Sequence, residues 1–214
     1  MQKRKRLRDG LPTQKRWPGR ELLEAARELN TRYMELLAEV ASTPEAGDAW
    51  GGLIGHLNLW KQLNVDACGR AGRCPVLLLN INFERTDWWS RVRHSPIVLD
   101  SGAPGALFHK DRAAPLIREI LTEARSAARG FPAAARLTFG MTAIVSSIVA
   151  DLSAAEVERI SSAYTRELRP RWADRPSFWK RLLEAAITND TSALPQLHLH
   201  CVQLLGRDLQ LPSR

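Results

Sequence analysis

The tightest grouping of side chains able to do chemistry in this 214-residue sequence is His198, His200 and Cys201. Imidazole and thiolate so close together are zinc ligands when they converge on one point. Zinc sites usually start from close pairs such as Cys-x2-Cys, and Cys68 and Cys74 have five residues between them. Residues 198–201 fall in a stretch that reads as helix, where only one or two of them share a face. Buried thiols and ordinary histidines are the simpler reading, so no metal or cofactor is expected. Three cysteines, an odd number, make no even disulfide framework.

Glu84, Asp87 and Asp174 sit beside arginines at expected helix starts. There a carboxylate favours the N-terminal dipole without any chemistry, so each reads as a cap rather than an acid–base group. His56, His94 and His109 stand alone. Gly69-Arg-Ala-Gly72 is not GxGxxG and follows no strand, and neither a nucleophile elbow nor an HExxH helix occurs. The sequence does not ask for an enzyme.

Charge is the stronger signal. The net charge is +8, and Lys3, Arg4, Lys5, Arg6, Arg8, Lys15, Arg16 and Arg20 against Asp9 place +7 of it in the first 20 residues. The remaining 194 residues carry 23 basic and 22 acidic side chains. Such a Gly- and Pro-punctuated stretch cannot bury apolar surface and reads as a flexible arm. An arm of this charge suits phosphate contact through counterion release; a solvated tail is the plainer alternative. Arg85, Arg91 and Arg93, and separately Arg175, Lys180 and Arg181, read as two related basic patches. The candidate nucleic-acid contacts are the eight arm residues, Arg91 and Arg181. Seven tryptophans are many for this length. Trp88, Trp89, Trp172 and Trp179 lie next to apolar helices and read as core before stacking platforms.

These residues must be positioned by helices. From Glu21 to Ala41, Leu22, Ala25, Ala26, Leu29, Tyr33, Leu36, Leu37 and Val40 form an apolar stripe at helical spacing. A second helix is expected from near Trp50 to Leu63. Asn64 caps a short helix through Arg70, stopped by Gly72. Pro75 to Phe83 reads as an extended segment or short strand, and Thr86 and Asp87 cap a helix starting at Trp88-Trp89. Pro96, Gly102, Pro104 and Gly105 mark a linker. Helices then follow over Asp111 to Arg129 and over Ala133 to Ala150, the latter apolar on most faces and expected to be buried. Ser153-Ala-Ala-Glu156 has capping-box spacing. Leu168 to Trp172 is short and Pro-interrupted, and Pro176 to Ile187 and Leu194 to Leu205 close the chain. No apolar run approaches the ~20 residues that span a bilayer. Met1-Gln-Lys-Arg-Lys-Arg has no apolar stretch after it, unlike a secretory signal, and a cytoplasmic protein is expected.

The chain also resembles itself. At an offset of 89, Leu63-Asn64 falls on Leu152-Ser153 and Phe83 on Trp172. One residue of slippage later, Trp88-Trp89-Ser-Arg-Val92 falls on Phe178-Trp179-Lys-Arg-Leu182. Leu36-Leu37 and Ile120-Leu121 precede the two copies. The expected fold is mainly α: two similar helical units, each with a short extended segment, packed as a pseudo-dimer. The units span 21–93 and 111–214, after a basic arm over 1–20 and around a Pro/Gly linker over 94–110.

Leu29-Asn30-Thr-Arg-Tyr33-Met-Glu-Leu36-Leu37-Ala38 and the segment Leu77 to Phe83 resemble the D subunit of the flagellar master transcriptional activator, FlhD, and its relatives on mobile elements. In the second unit Leu137-Thr-Phe139-Gly140-Met141 and Leu152-Ser153 through Ile160 are similar in the same way. The resemblance implies an α-helical regulator that dimerises and activates transcription with a partner subunit. It departs from the family in its duplication, its basic arm and its linker, and no family ligand or catalytic residue maps across. The expectation is a bacterial activator subunit that contacts DNA through its arm, works with a protein partner, touches no membrane and leaves room for a homo-oligomer. A helical adaptor or secretion accessory protein without nucleic-acid binding is the alternative.

Overall fold

The computed structural model describes residues 19–43, 56–94 and 106–210. Among them are ten α-helices and one two-stranded sheet, a mainly helical fold. Helix α1 (Gly19–Ala41) buries Leu22, Ala26, Leu29, Tyr33, Met34 and Leu37 along one stripe. It packs on α2 (Leu57–Lys61), α3 (Val65–Gly72) and α5 (Lys110–Gly130). Gly72 is required at the α1–α3 contact, because a Cβ there would overlap Thr31. Asn64 caps α3 by accepting the Ala67 N–H at 2.8 Å. Of the helix expected over Trp50–Leu63, α2 is described; residues 50–55 lie outside the described residues, as do 95–105 of the linker.

Asn30 interrupts the apolar stripe of α1 and is wholly buried. Its amide donates to the carbonyls of Gly72, Cys74 and Val76 and accepts the Leu78 N–H at 2.8 Å. One side chain thus satisfies four buried backbone groups of the segment, while Thr138 and Arg171 meet those of Leu77 and Leu78. The segment ends in β1 (Leu79–Asn80), which pairs antiparallel with β2 (Arg169–Pro170), Leu79 opposite Pro170 and Asn80 opposite Arg169.

The single helix expected over Ala133–Ala150 is two helices, α6 (Pro132–Phe139) and α7 (Ala143–Asp151), bent by 108°. Gly140 takes a left-handed φ of 68°, and Thr142 starts α7 by accepting the Val145 N–H at 3.2 Å. The pair is less buried than its composition suggests: Leu137 is 58% exposed and Ile144 57%. No single described helix is long and apolar enough to cross a membrane. Then come α8 (Ala154–Ala163), a 3-10 turn at Thr165–Glu167, β2, α9 (Pro176–Thr188) and α10 (Ala193–Gln210). Ser153 and Glu156 form a reciprocal capping box on α8.

Packing crosses from one half of the sequence to the other. Helix α9 lies on α2 and α3, with Trp179 against Trp60 at 5.4 Å between ring centroids. Helix α4 (Thr86–His94) lies on α7. Arg70 on α3 donates to the Ala186 carbonyl of α9, and Arg159 on α8 donates to the Val92 carbonyl of α4. These two arginines are 89 residues apart, as are Asn80 and Arg169. One apolar cluster runs through both halves.

Hydrogen bonding moves the one-residue slippage of the repeat. The Arg85 N–H donates to Asn82 O and the Arg175 N–H to Trp172 O, each at 2.9 Å, and Asn82 and Trp172 both have positive φ. Trp172 therefore matches Asn82 rather than Phe83, so the slip falls before the closing aromatic. Asn and Trp look unalike in sequence, and the backbone, together with the side-chain N–H that each gives to a carboxylate, reveals the match.

Candidate functional site

Where β1 meets β2 a groove of about 880 Å³ opens. Arg85 and Arg175, one from each half, both line it, with Asn80 and Arg169 between them in the strand pair. It carries four arginines (85, 169, 171, 175) and four acids (Glu84, Asp87, Asp174, Asp208), so its formal charge is zero.

Arg171 is its most constrained member. Only 5% of it is exposed; its Nε donates to Leu77 O, and one terminal nitrogen donates to Leu79 O and Phe139 O. No carboxylate lies within ion-pair distance among the described residues. Burial lowers its pKa from the usual arginine range, while the charges of Glu84 and Asp208 act the other way. Asp208 accepts the Trp172 indole N–H at 2.7 Å, and Glu84 accepts from Asn80 at 2.8 Å. Asn82 donates to Glu167 at 2.7 Å across the halves.

Of the expected nucleic-acid contacts, Lys3, Arg4, Lys5, Arg6, Arg8, Lys15 and Arg16 lie outside the described residues. Arg20 is exposed in the first turn of α1. Arg91 is exposed on α4 but ion-paired with Asp87 at 3.3 Å, a carboxylate that Arg85 also reaches at 3.2 Å. Desolvation opposes ionisation of Asp87, yet the Trp88 N–H and the two guanidiniums outweigh it and hold the carboxyl below its usual range. Arg93 pairs with Asp151 and Lys180 with Glu184, each at 3.7 Å. Arg181 is exposed on α9 and makes no ion pair among the described residues. The two expected patches are therefore unequal: the first is largely self-neutralised.

The described tryptophans pack inward. Trp89, Trp179 and Trp60 are inaccessible and Trp172 nearly so, while Trp88 is half-buried against Tyr164. Among the described residues no three His, Cys, Asp or Glu side chains are placed to hold a metal. His198 hydrogen-bonds the Ala71 backbone and burial lowers its pKa; His200 faces Gln203 and Phe178. Cys201 is buried in contact with Cys74, and that hydrogen bond and burial raise its pKa. Cys68 is pushed up to about 11 by burial, with Glu35 adding to it. Cys68 and Cys201 are thus thiols at neutral pH.

Sequence reasoning missed Arg171, the arginine pair Arg70 and Arg159, and the amide lock of Asn30. Asn30 was visible as a polar residue inside an apolar stripe, and the arginine pair as identical residues at the repeat offset. Nothing in the sequence singles out Arg171. Comparison with protein-family models, with curated proteins and with solved structures gives no match.

Proposed function

We propose that this protein is a cytoplasmic, DNA-associated transcriptional regulator subunit, a fused pair of helical units that holds DNA through its N-terminal arm and works with a protein partner. The observation that carries this reading is charge segregation. Residues 1–20 hold +7 while the rest of the chain is nearly balanced. The body also spends its charges on itself, through the surface pairs Arg32–Glu119, Arg112–Glu39 and Arg118–Glu158. Support for the fused pair comes from residues at the repeat offset: Asn80 pairs with Arg169, and Arg70 and Arg159 each reach a carbonyl in the other half, Ala186 and Val92, which stand one helical turn apart in the repeat register. Such an arrangement suits a target with two-fold character, duplex DNA among them.

The self-neutralised first patch favours a second reading, a helical adaptor whose body never meets nucleic acid. Fluorescence anisotropy with random duplex DNA separates the two. For full-length protein the regulator reading expects affinity to fall steeply with salt, with a log–log slope of about −0.9 per phosphate neutralised. Replacing Lys3, Arg4, Lys5, Arg6 and Arg8 by Gln should flatten that slope by roughly 4. No salt-dependent binding by either protein leaves the adaptor.

A further inference from the structure

The strand-pair groove is built around a cation without a counterion. Nη1 of Arg171 makes no hydrogen bond among the described residues, although the residue lines the groove and its other nitrogens are spent on three backbone carbonyls. Carbonyl oxygens are neutral acceptors, and the strong partner of a guanidinium is a carboxylate or phosphate. Gly140 keeps the approach open: a Cβ on it would stand 2.5 Å from Nη1 and 2.8 Å from Nη2. A second unspent donor is present, since Arg175 Nε is buried with no hydrogen-bond partner.

We propose that this groove docks a short, mixed-charge segment of a protein partner, with one carboxylate seated on Nη1 of Arg171 beside Gly140 and basic residues on either side of it. The proposal rests on the reading that the chain works with a protein partner and names the surface and chemistry of that contact. Charge decides the class of occupant. Arg169 and Arg175 attend the carboxylate, whereas Glu84, Asp87, Asp174 and Asp208 repel a run of phosphates and Asp174 matches a flanking lysine or arginine. Volume agrees, because about 880 Å³ is the size of a ligand pocket and far more than one ion fills. The occupant is therefore a peptide of a few residues rather than a nucleic-acid backbone.

The test follows the backbone amide of Gly140 and the indole of Trp172 in ¹H–¹⁵N spectra of the full-length protein. The probes are acetyl-Lys-Asp-Lys-amide, acetyl-Lys-Asn-Lys-amide and random duplex DNA. The Asp peptide is expected to shift both signals saturably, with the Asn peptide at least about fivefold weaker. Arg171 holds the fold together, so the variants are placed on exposed positions. Arg169→Gln and Asp174→Asn should each weaken the Asp peptide about two- to fivefold, the first by removing a cation beside the carboxylate and the second by removing a partner of a flanking lysine. Equal binding of the two peptides, or no saturable shift with either, overturns the proposal. So does DNA that moves these two signals more than the peptide does. The DNA anisotropy of the same sample keeps the two readings apart: a silent groove with salt-dependent DNA binding intact removes the groove and leaves the regulator.

Discussion

Helices α1 and α5, one in each half, hold their neighbours by different means. Six buried positions recur at an offset of 91, seven residues from the offset of Leu36-Leu37 and Ile120-Leu121: Leu22, Ala26, Leu29, Asn30, Tyr33 and Leu37 fall on Ala113, Ile117, Ile120, Leu121, Ala124 and Ala128. In α1 the centre of the stripe is an amide and a phenol, Asn30 locking the strand segment and Tyr33 meeting Phe108 edge to face. In α5 it is Leu121 and Ala124, small and apolar, and three helices, α6, α7 and α8, pack around them. The same burial pattern thus serves a polar lock in one half and close helix packing in the other. A repeat constrains where side chains are buried more strongly than what they do there.

The largest expected effect is at that pair. Asn30→Leu, which gives α1 the residue of α5, leaves three buried carbonyls and one N–H without their partner. Urea unfolding should show a loss of about 3 kcal/mol, and a loss below about 1 kcal/mol would mean the segment is held by packing alone. Next come Arg70 and Arg159. Arg70→Gln and Arg159→Gln should each cost about 1–2 kcal/mol in the same assay, since each removes a charged donor from a carbonyl of the opposite half. A large cost at one and none at the other would break the correspondence between the halves.

The helix caps sharpen the comparison by pH. Asn64→Ala and Ser153→Ala should each cost about 1 kcal/mol at neutral pH. Only the second has a carboxylate partner: the Ser153 N–H and hydroxyl hold the Glu156 carboxyl below its usual value. A depressed folded pKa gives stability that is complete above the unfolded value and disappears as pH falls through the folded one. The cost of Ser153→Ala should therefore shrink on acidification while that of Asn64→Ala stays constant. The smallest effect is on DNA. Arg181→Gln should weaken full-length binding by a few-fold and Arg91→Gln by less, because Asp87 already neutralises Arg91. Absent effects would remove both from the interface, and equal ones would mean that Asp87 does not screen Arg91.

Much of the helical frame was legible in the sequence, because period and caps report local energetics. The stripe of α1, the Asn64 cap and the Ser153–Glu156 box stand where spacing put them. The bend at Gly140 was not, since a single glycine in an apolar run reads equally as a tolerated residue; what fixes it is Arg171, 31 positions later. The groove was illegible for the same reason. Arg171 sits among arginines of similar sequence context, and only the carbonyls of 77, 79 and 139 distinguish it. Tertiary satisfaction of backbone groups leaves no local trace.

The contact of Trp60 with Trp179 also sets a timetable for synthesis. The two rings are 119 positions apart, so Trp60 leaves the ribosome well before the helix that covers it exists. At ~5–20 residues per second the interval is roughly 6–24 s. For that time the first half presents an uncovered indole face and an unpaired strand, the surfaces that chaperones bind and that neighbouring nascent chains on a polysome can pair with wrongly. Fusing both halves in one polypeptide ends the wait with a partner already tethered, at a concentration that does not depend on how much protein the cell has made.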